Sequence, residues 1–113
     1  MALEPEAEWA RLEIGRLARD MLSGKLSYIE GARSIWRLAS SARLDNNDPD
    51  LRTFVAIDSD TDELPTGAVR ELWDAQALRK MQPDFDRAEK WAQEVGREAC
   101  ESLARRFGGS EHD

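Results

Sequence analysis

The last quarter of the chain carries the strongest constraint on what it can fold into. Phe85, Ala88, Ala92, Val95, Ala99, Leu103 and Phe107 recur every three or four residues. That spacing lays them along one side of an α-helix of about six turns. A stripe this long must be covered by other elements, and the rest of the chain offers helices to do it. The spacing of Ala10, Ile14, Leu17 and Met21 predicts a helix over 7–23, with Pro5 in a first turn and Gly24 ending it in a left-handed conformation. Ser27 and Glu30 have the spacing of a capping box for a second helix running to 42, with Ile29, Ala32, Ile35, Trp36 and Ala39 on its inner face. Gly31 and Ala32 are small enough to let another helix approach. The three or four residues between the two predict an antiparallel hairpin.

Residues 45–50, DNNDPD, read as an exposed loop, and 51–57 as an extended segment, or one holding a helical turn, that packs Phe54, Val55 and Ile57 onto the helices. Thr66 is placed to cap a third helix with Val69, Leu72 and Trp73 facing inward, and Asp74 to cap a further turn or a continuation to Met81. Pro83 breaks the pattern, and Asp84 caps the last helix. Asp86 with Lys90, and Glu101 with Arg105, are spaced to pair on its outer face. All four tryptophans fall on apolar stripes, where core packing is the default expectation. The fold class is therefore all-α: a compact bundle or array of about four helices with one long acidic connection. It forms a single domain over 1–113, with 107–113 as a frayed tail.

No apolar run approaches the roughly 20 residues that cross a bilayer, and MALEPEAEWARLE is acidic where a signal peptide is basic and then apolar. With one cysteine, Cys100, an internal disulfide is excluded, and the expected location is cytoplasmic. The charge is uneven. Residues 45–63 hold seven acids and one base, a net −6 within a total of −7. Direct nucleic-acid binding needs a basic face, which the sequence does not display. A basic protein is the natural complement of the acidic stretch.

Asp58, Asp60 and Asp62 alternate like the first ligands of a calcium loop, but Glu63 stands at its sixth position and Val69 at its twelfth, so neither a metal nor a cofactor is expected. No nucleophile and base fall together. His112, the one histidine, is in the tail, and Cys100 lies between Glu98 and Glu101, which raise a thiol's pKa. The expected activity is thus binding rather than catalysis, with Asp48, Asp50, Phe54, Asp58, Asp60, Asp62, Glu63 and Arg70 as partner-contacting residues and Phe54 as an exposed aromatic anchor. Glu30, Arg33 and Arg70 are placed either to pair across the bundle and hold the acidic loop or to form a solvated face. A metal- or small-ligand module using Asp58, Asp60 and Asp62, and a structural or dimeric protein, stay open as alternatives.

Glu30 to Arg33 (EGAR), residues 54–65 (FVAIDSDTDELP) with Gly67, Arg70 and Trp73, and the pair Ala99 and Cys100 resemble a family of small bacterial helical proteins. Asp60 stands where that pattern more usually has glutamate. The resemblance covers most of the chain and implies a helical fold without an activity. Locally, the spacing of Asp62, Pro65, Gly67, Val69 and Trp73 is similar to the segment by which nuclease-colicin immunity proteins hold their toxins, although Tyr28, the single tyrosine, lies elsewhere. That similarity implies a small acidic inhibitor of a basic bacterial toxin domain.

Overall fold

The computed structural model describes residues 3–108, which form five helices in the order α1 (Pro5–Ser23), α2 (Tyr28–Ala39), α3 (Pro49–Asp60), α4 (Gly67–Glu71) and α5 (Ala75–Arg106). Among the described residues there is no strand, so the all-α expectation holds. No helix is long and apolar enough to cross a membrane.

Helix α1 starts with Pro5 in its first turn and ends at Gly24, whose φ of 85° is the left-handed conformation that a side chain would strain. The N–H groups of Lys25 and Leu26 then close on the carbonyl of Asp20. Four residues later α2 begins. Near the turn Met21 lies against Gly31, where an added Cβ would come within 2.6 Å of Met21 Cγ. At the far end Arg11 Nε donates to the carbonyl of Ala42 at 2.7 Å. Contacts at both ends of the pair make α1 and α2 the antiparallel hairpin that their short connection implies.

Residues 51–57 are not extended. They form most of α3, because the loop ahead of them contains a complete helix start: Asp48 accepts from the N–H groups of Asp50 (3.0 Å) and Leu51 (3.3 Å), with Pro49 in the first turn. Leu51, Phe54 and Ile57, three residues apart, are all fully buried, so tertiary packing overrides the strand preference of Val55 and Ile57. Thr61 closes the helix, its hydroxyl donating to the carbonyl of Ile57 at 2.7 Å.

Helix α5 is longer than the sequence suggests, since Pro83 sits inside it. Asp74 caps it, accepting from Gln76 (3.1 Å) and Ala77 (3.2 Å). Pro83 and Arg79, whose carbonyl would receive the missing N–H, are both exposed, so water can take that bond. Asp84 is accordingly no cap and pairs with Arg87 instead. On the outer face the pairs are Gln82 with Asp86 and Arg97 with Glu101, rather than those expected from four-residue spacing alone. Phe107 is no frayed residue: it packs against the core, with the guanidinium groups of Arg11 and Arg106 over its ring at 5.6 and 5.0 Å. Residues 109–113 of the expected tail lie outside the described residues.

One core unites α1, α2, α3 and the second half of α5 through Ile14, Leu17, Met21, Ile35, Leu51, Phe54, Ile57, Cys100 and Leu103. A smaller cluster of Ile29, Leu64 and Phe85 sits under the approach to α4. Of the tryptophans only Trp91 packs against the core; Trp9 and Trp36 are exposed because Ala10, Ile14, Ala32 and Ile35 take the inner positions of α1 and α2, and Trp73 is exposed past the end of α4. Phe54→Ala should cost about 3–5 kcal/mol, read as a lowered urea midpoint, since the deleted ring is wholly enclosed. A loss of binding without a loss of stability would contradict its place in the core.

Candidate functional site

The acidic stretch divides into carboxylates that the fold has committed and carboxylates that it presents to solvent. Asp48 and Asp50 belong to the first group. Arg106, near the end of α5, reaches Asp48 Oδ2 at 2.7 Å and Asp50 Oδ2 at 2.8 Å, and Ser102 donates to Asp50 as well. The Arg106 guanidinium, with the N–H groups of Leu51 and Asp50, holds the Asp48 carboxyl below its ordinary value against the opposing effect of burial. These two acids, expected as partner contacts, therefore fasten α3 to α5.

Asp58 is committed too. Arg33 on α2 approaches it through Nε at 3.3 Å, donates through Nη1 to Thr66 Oγ1 at 2.8 Å and through Nη2 to the carbonyl of Thr61. The Arg33 side chain is only 15% exposed. One cation from α2 thus ties the end of α3, the following turn and the start of α4, as the expectation that Arg33 holds the acidic loop required. Thr66 stands at the start of α4 but makes no side-chain cap, because its hydroxyl serves Arg33. Arg70 does not join this network; its guanidinium lies 4.6 Å from the centroid of the Phe85 ring.

Phe54, expected as an exposed anchor, is 0% exposed and unable to touch a partner. The reason is its position midway along the buried face of α3.

Asp45 accepts from the N–H of Asn47 ahead of α3, which leaves Asp60, Asp62 and Glu63. All three are exposed, and among the described residues none is engaged in an ion pair. Beside them the chain turns through buried Leu64 and Pro65 into α4, where Val69 is 58% and Leu72 85% exposed, with Trp73 at 40% just beyond. The inward orientation expected for these three is thus reversed: α4 is five residues long and its neighbours Leu64 and Phe85 already fill the small cluster below. A cleft of about 200 Å³ separates turn and helix, lined by Arg33, Asp62, Leu64, Pro65, Val69 and Trp73 among others. Arg70 lines a second cleft of about 220 Å³ with Glu30, Phe85, Asp86 and Glu89.

Asp58, Asp60 and Asp62 do not converge, and among the described residues no group of three or more His, Cys, Asp or Glu could hold a metal ion. Burial pushes the Cys100 thiol and the Tyr28 phenol each up to about 12, so both stay protonated at neutral pH.

Sequence reasoning missed Arg106 and the exposed apolar side of α4. It also missed Glu89, whose carboxylate accepts from the backbone N–H of Tyr28 (2.8 Å) and Ile29 (3.2 Å) while Ser27 accepts from Glu30 at 3.0 Å. The carboxylate completing that cap comes from α5, not from the box. A free-standing signal for the Asp48 cap did exist, in the Asp-Pro pair that opens α3. No protein-family model matches the chain, nor does any curated protein or solved structure.

Asp48→Asn keeps a capping oxygen but removes the charge that Arg106 holds. Because the folded pKa of Asp48 is depressed, its stabilisation is complete above the ordinary carboxylate range and lost as pH falls through the folded value. The variant should be less stable by about 1 kcal/mol at neutral pH, with the difference shrinking to nothing in acid, as urea midpoints against pH would show. Arg33→Lys, which cannot make three directed bonds, should cost about 2 kcal/mol and speed amide exchange across 61–66; unchanged exchange there would contradict the tie.

Proposed function

We propose that the chain is a non-enzymatic binding module whose acidic turn docks on a basic protein, and that this partner is a bacterial toxin domain that the chain neutralises in the manner of an immunity protein. The observation that carries the reading is the division of the acidic stretch. Arg106 and Arg33 consume Asp48, Asp50 and Asp58, yet the fold leaves Asp60, Asp62 and Glu63 exposed at one turn beside exposed apolar side chains. These three carboxylates are left to solvent beside an apolar surface. Asp62, Val69 and Trp73, three of the residues that carry the local similarity to immunity proteins, are exposed at this turn.

In this mechanism the carboxylates attract a basic surface and raise the rate of encounter, by about 10- to 1,000-fold at low salt. Once docked, the turn covers the basic cleft through which such a toxin holds nucleic acid. The partner-contacting set becomes Asp60, Asp62, Glu63, Val69, Leu72 and Trp73, in place of the set containing Asp48, Asp50, Phe54 and Asp58. Arg70 contributes from behind, by holding α4 against Phe85.

Tagged protein exposed to an extract of its native host at low salt should retain one basic protein at stoichiometric yield and release it in a salt gradient. With that protein in hand, the triple variant Asp60→Asn, Asp62→Asn, Glu63→Gln should slow association by about tenfold or more while leaving the melting temperature nearly unchanged. An affinity that is the same at low and high ionic strength would sink the proposal.

A further inference from the structure

Val69 lies on α4, Leu72 stands at its C-terminal end and Trp73 follows, and all three are exposed. Val69 and Trp73, with Leu72 between them in sequence, line a cleft with apolar Leu64 and Pro65 and acidic Asp62 and Glu63. At about 200 Å³ it is smaller than the ~300 Å³ and upward typical of small-molecule sites. It has room for a side chain rather than for a metabolite.

We infer that this cleft and the exposed side of α4 receive a basic amphipathic helix of the partner protein, a refinement that rests on the binding reading above. The apolar stripe of the incoming helix lies on Leu72 and Trp73 with one large side chain in the cleft, and its lysines and arginines meet Asp60, Asp62, Glu63 and the exposed Glu71. Charge complementarity selects this occupant. An α-helix carries an apolar stripe with flanking cations, which suits apolar side chains that have carboxylates beside them. Strand addition has no template, since the described residues contain no sheet edge. A second copy meeting this face across a two-fold axis would set the patch against itself and bring carboxylates towards carboxylates.

The probe is a fluorescein-labelled peptide of about 14 leucines and lysines with leucine at helical spacing, and its control is the same composition scrambled to remove the stripe. Fluorescence anisotropy with the full chain at low salt should show the patterned peptide binding about tenfold or more tighter than the scrambled one. Leu72→Ser, at a site 85% exposed and so harmless to the fold, should abolish that preference, whereas Leu12→Ser on α1 should not. Equal binding of the two peptides, or indifference to Leu72→Ser, overturns the inference. So does a dimer in sedimentation that Leu72→Ser dissociates, because a second copy then covers the face. If the host partner is captured in a salt-sensitive way but ignores Leu72→Ser, the helix inference falls and the binding reading stands; if the extract yields no basic partner, the binding reading itself falls.

Discussion

The structure depends on the close packing of the second half of α5 against three other helices. Ala92, Gly96, Ala99 and Cys100 are small, and all four are buried. Small side chains let the backbones of α1, α2 and α3 come near, so that Ile57, Tyr28 and Met21 reach the helix itself. Directional bonds follow from that proximity. Glu89 serves the first two N–H groups of α2, and Arg106 with Ser102 holds the acids that open α3. One helix thereby supplies charge to the starts of two others. The apolar contact sets the distance, and the polar contacts set the register.

Arrangement of charge follows the same logic. An excess of six negative charges within 19 residues would repel itself if left wholly exposed. The fold relieves it at the two ends of α3, with Arg106 at one and Arg33 at the other, both from helices distant in sequence. Relief stops at the turn after α3. There the chain turns acidic and apolar together, the combination that separates steering from anchoring: exposed carboxylates act over a Debye length of roughly 10 Å, while an apolar side chain acts only on contact. Arg33 keeps that surface shaped by bonding the backbone and the Thr66 hydroxyl on either side of it.

Particular residues show where a sequence can be read and where it cannot. Gly24, Ser27 and Gly31 were legible because their roles are local or nearly so: a left-handed turn, a cap three residues long, and a place without a side chain. Cys100 was legible as an unreactive thiol, although burial rather than its acidic neighbours is the leading cause. Pro83 misled, because a proline ends a helix only if the lost bond has nowhere else to go, and its exposure is a tertiary property. Phe54 misled because an aromatic in an acidic stretch has the same composition whether it faces in or out. Of the expected contact residues, Asp60, Asp62 and Glu63 kept their exposure, whereas Asp48, Asp50 and Asp58 were claimed by arginines 58, 56 and 25 residues away.

By itself the sequence determined that this protein is helical, where α1 and α2 begin and turn, and that its charge is concentrated in one stretch. Those properties depend on periodicity, on caps within a few residues and on composition, all of which are written along the chain. Only the tertiary structure decided that 51–57 is a helix, which carboxylates are neutralised, and that Val69, Leu72 and Trp73 point to solvent. Each of these turns on a competition for a limited interior. The core has room for the Leu51, Phe54 and Ile57 face of α3 but not for the outer side of a five-residue α4, and which side chains win that space is settled by packing among residues far apart in sequence.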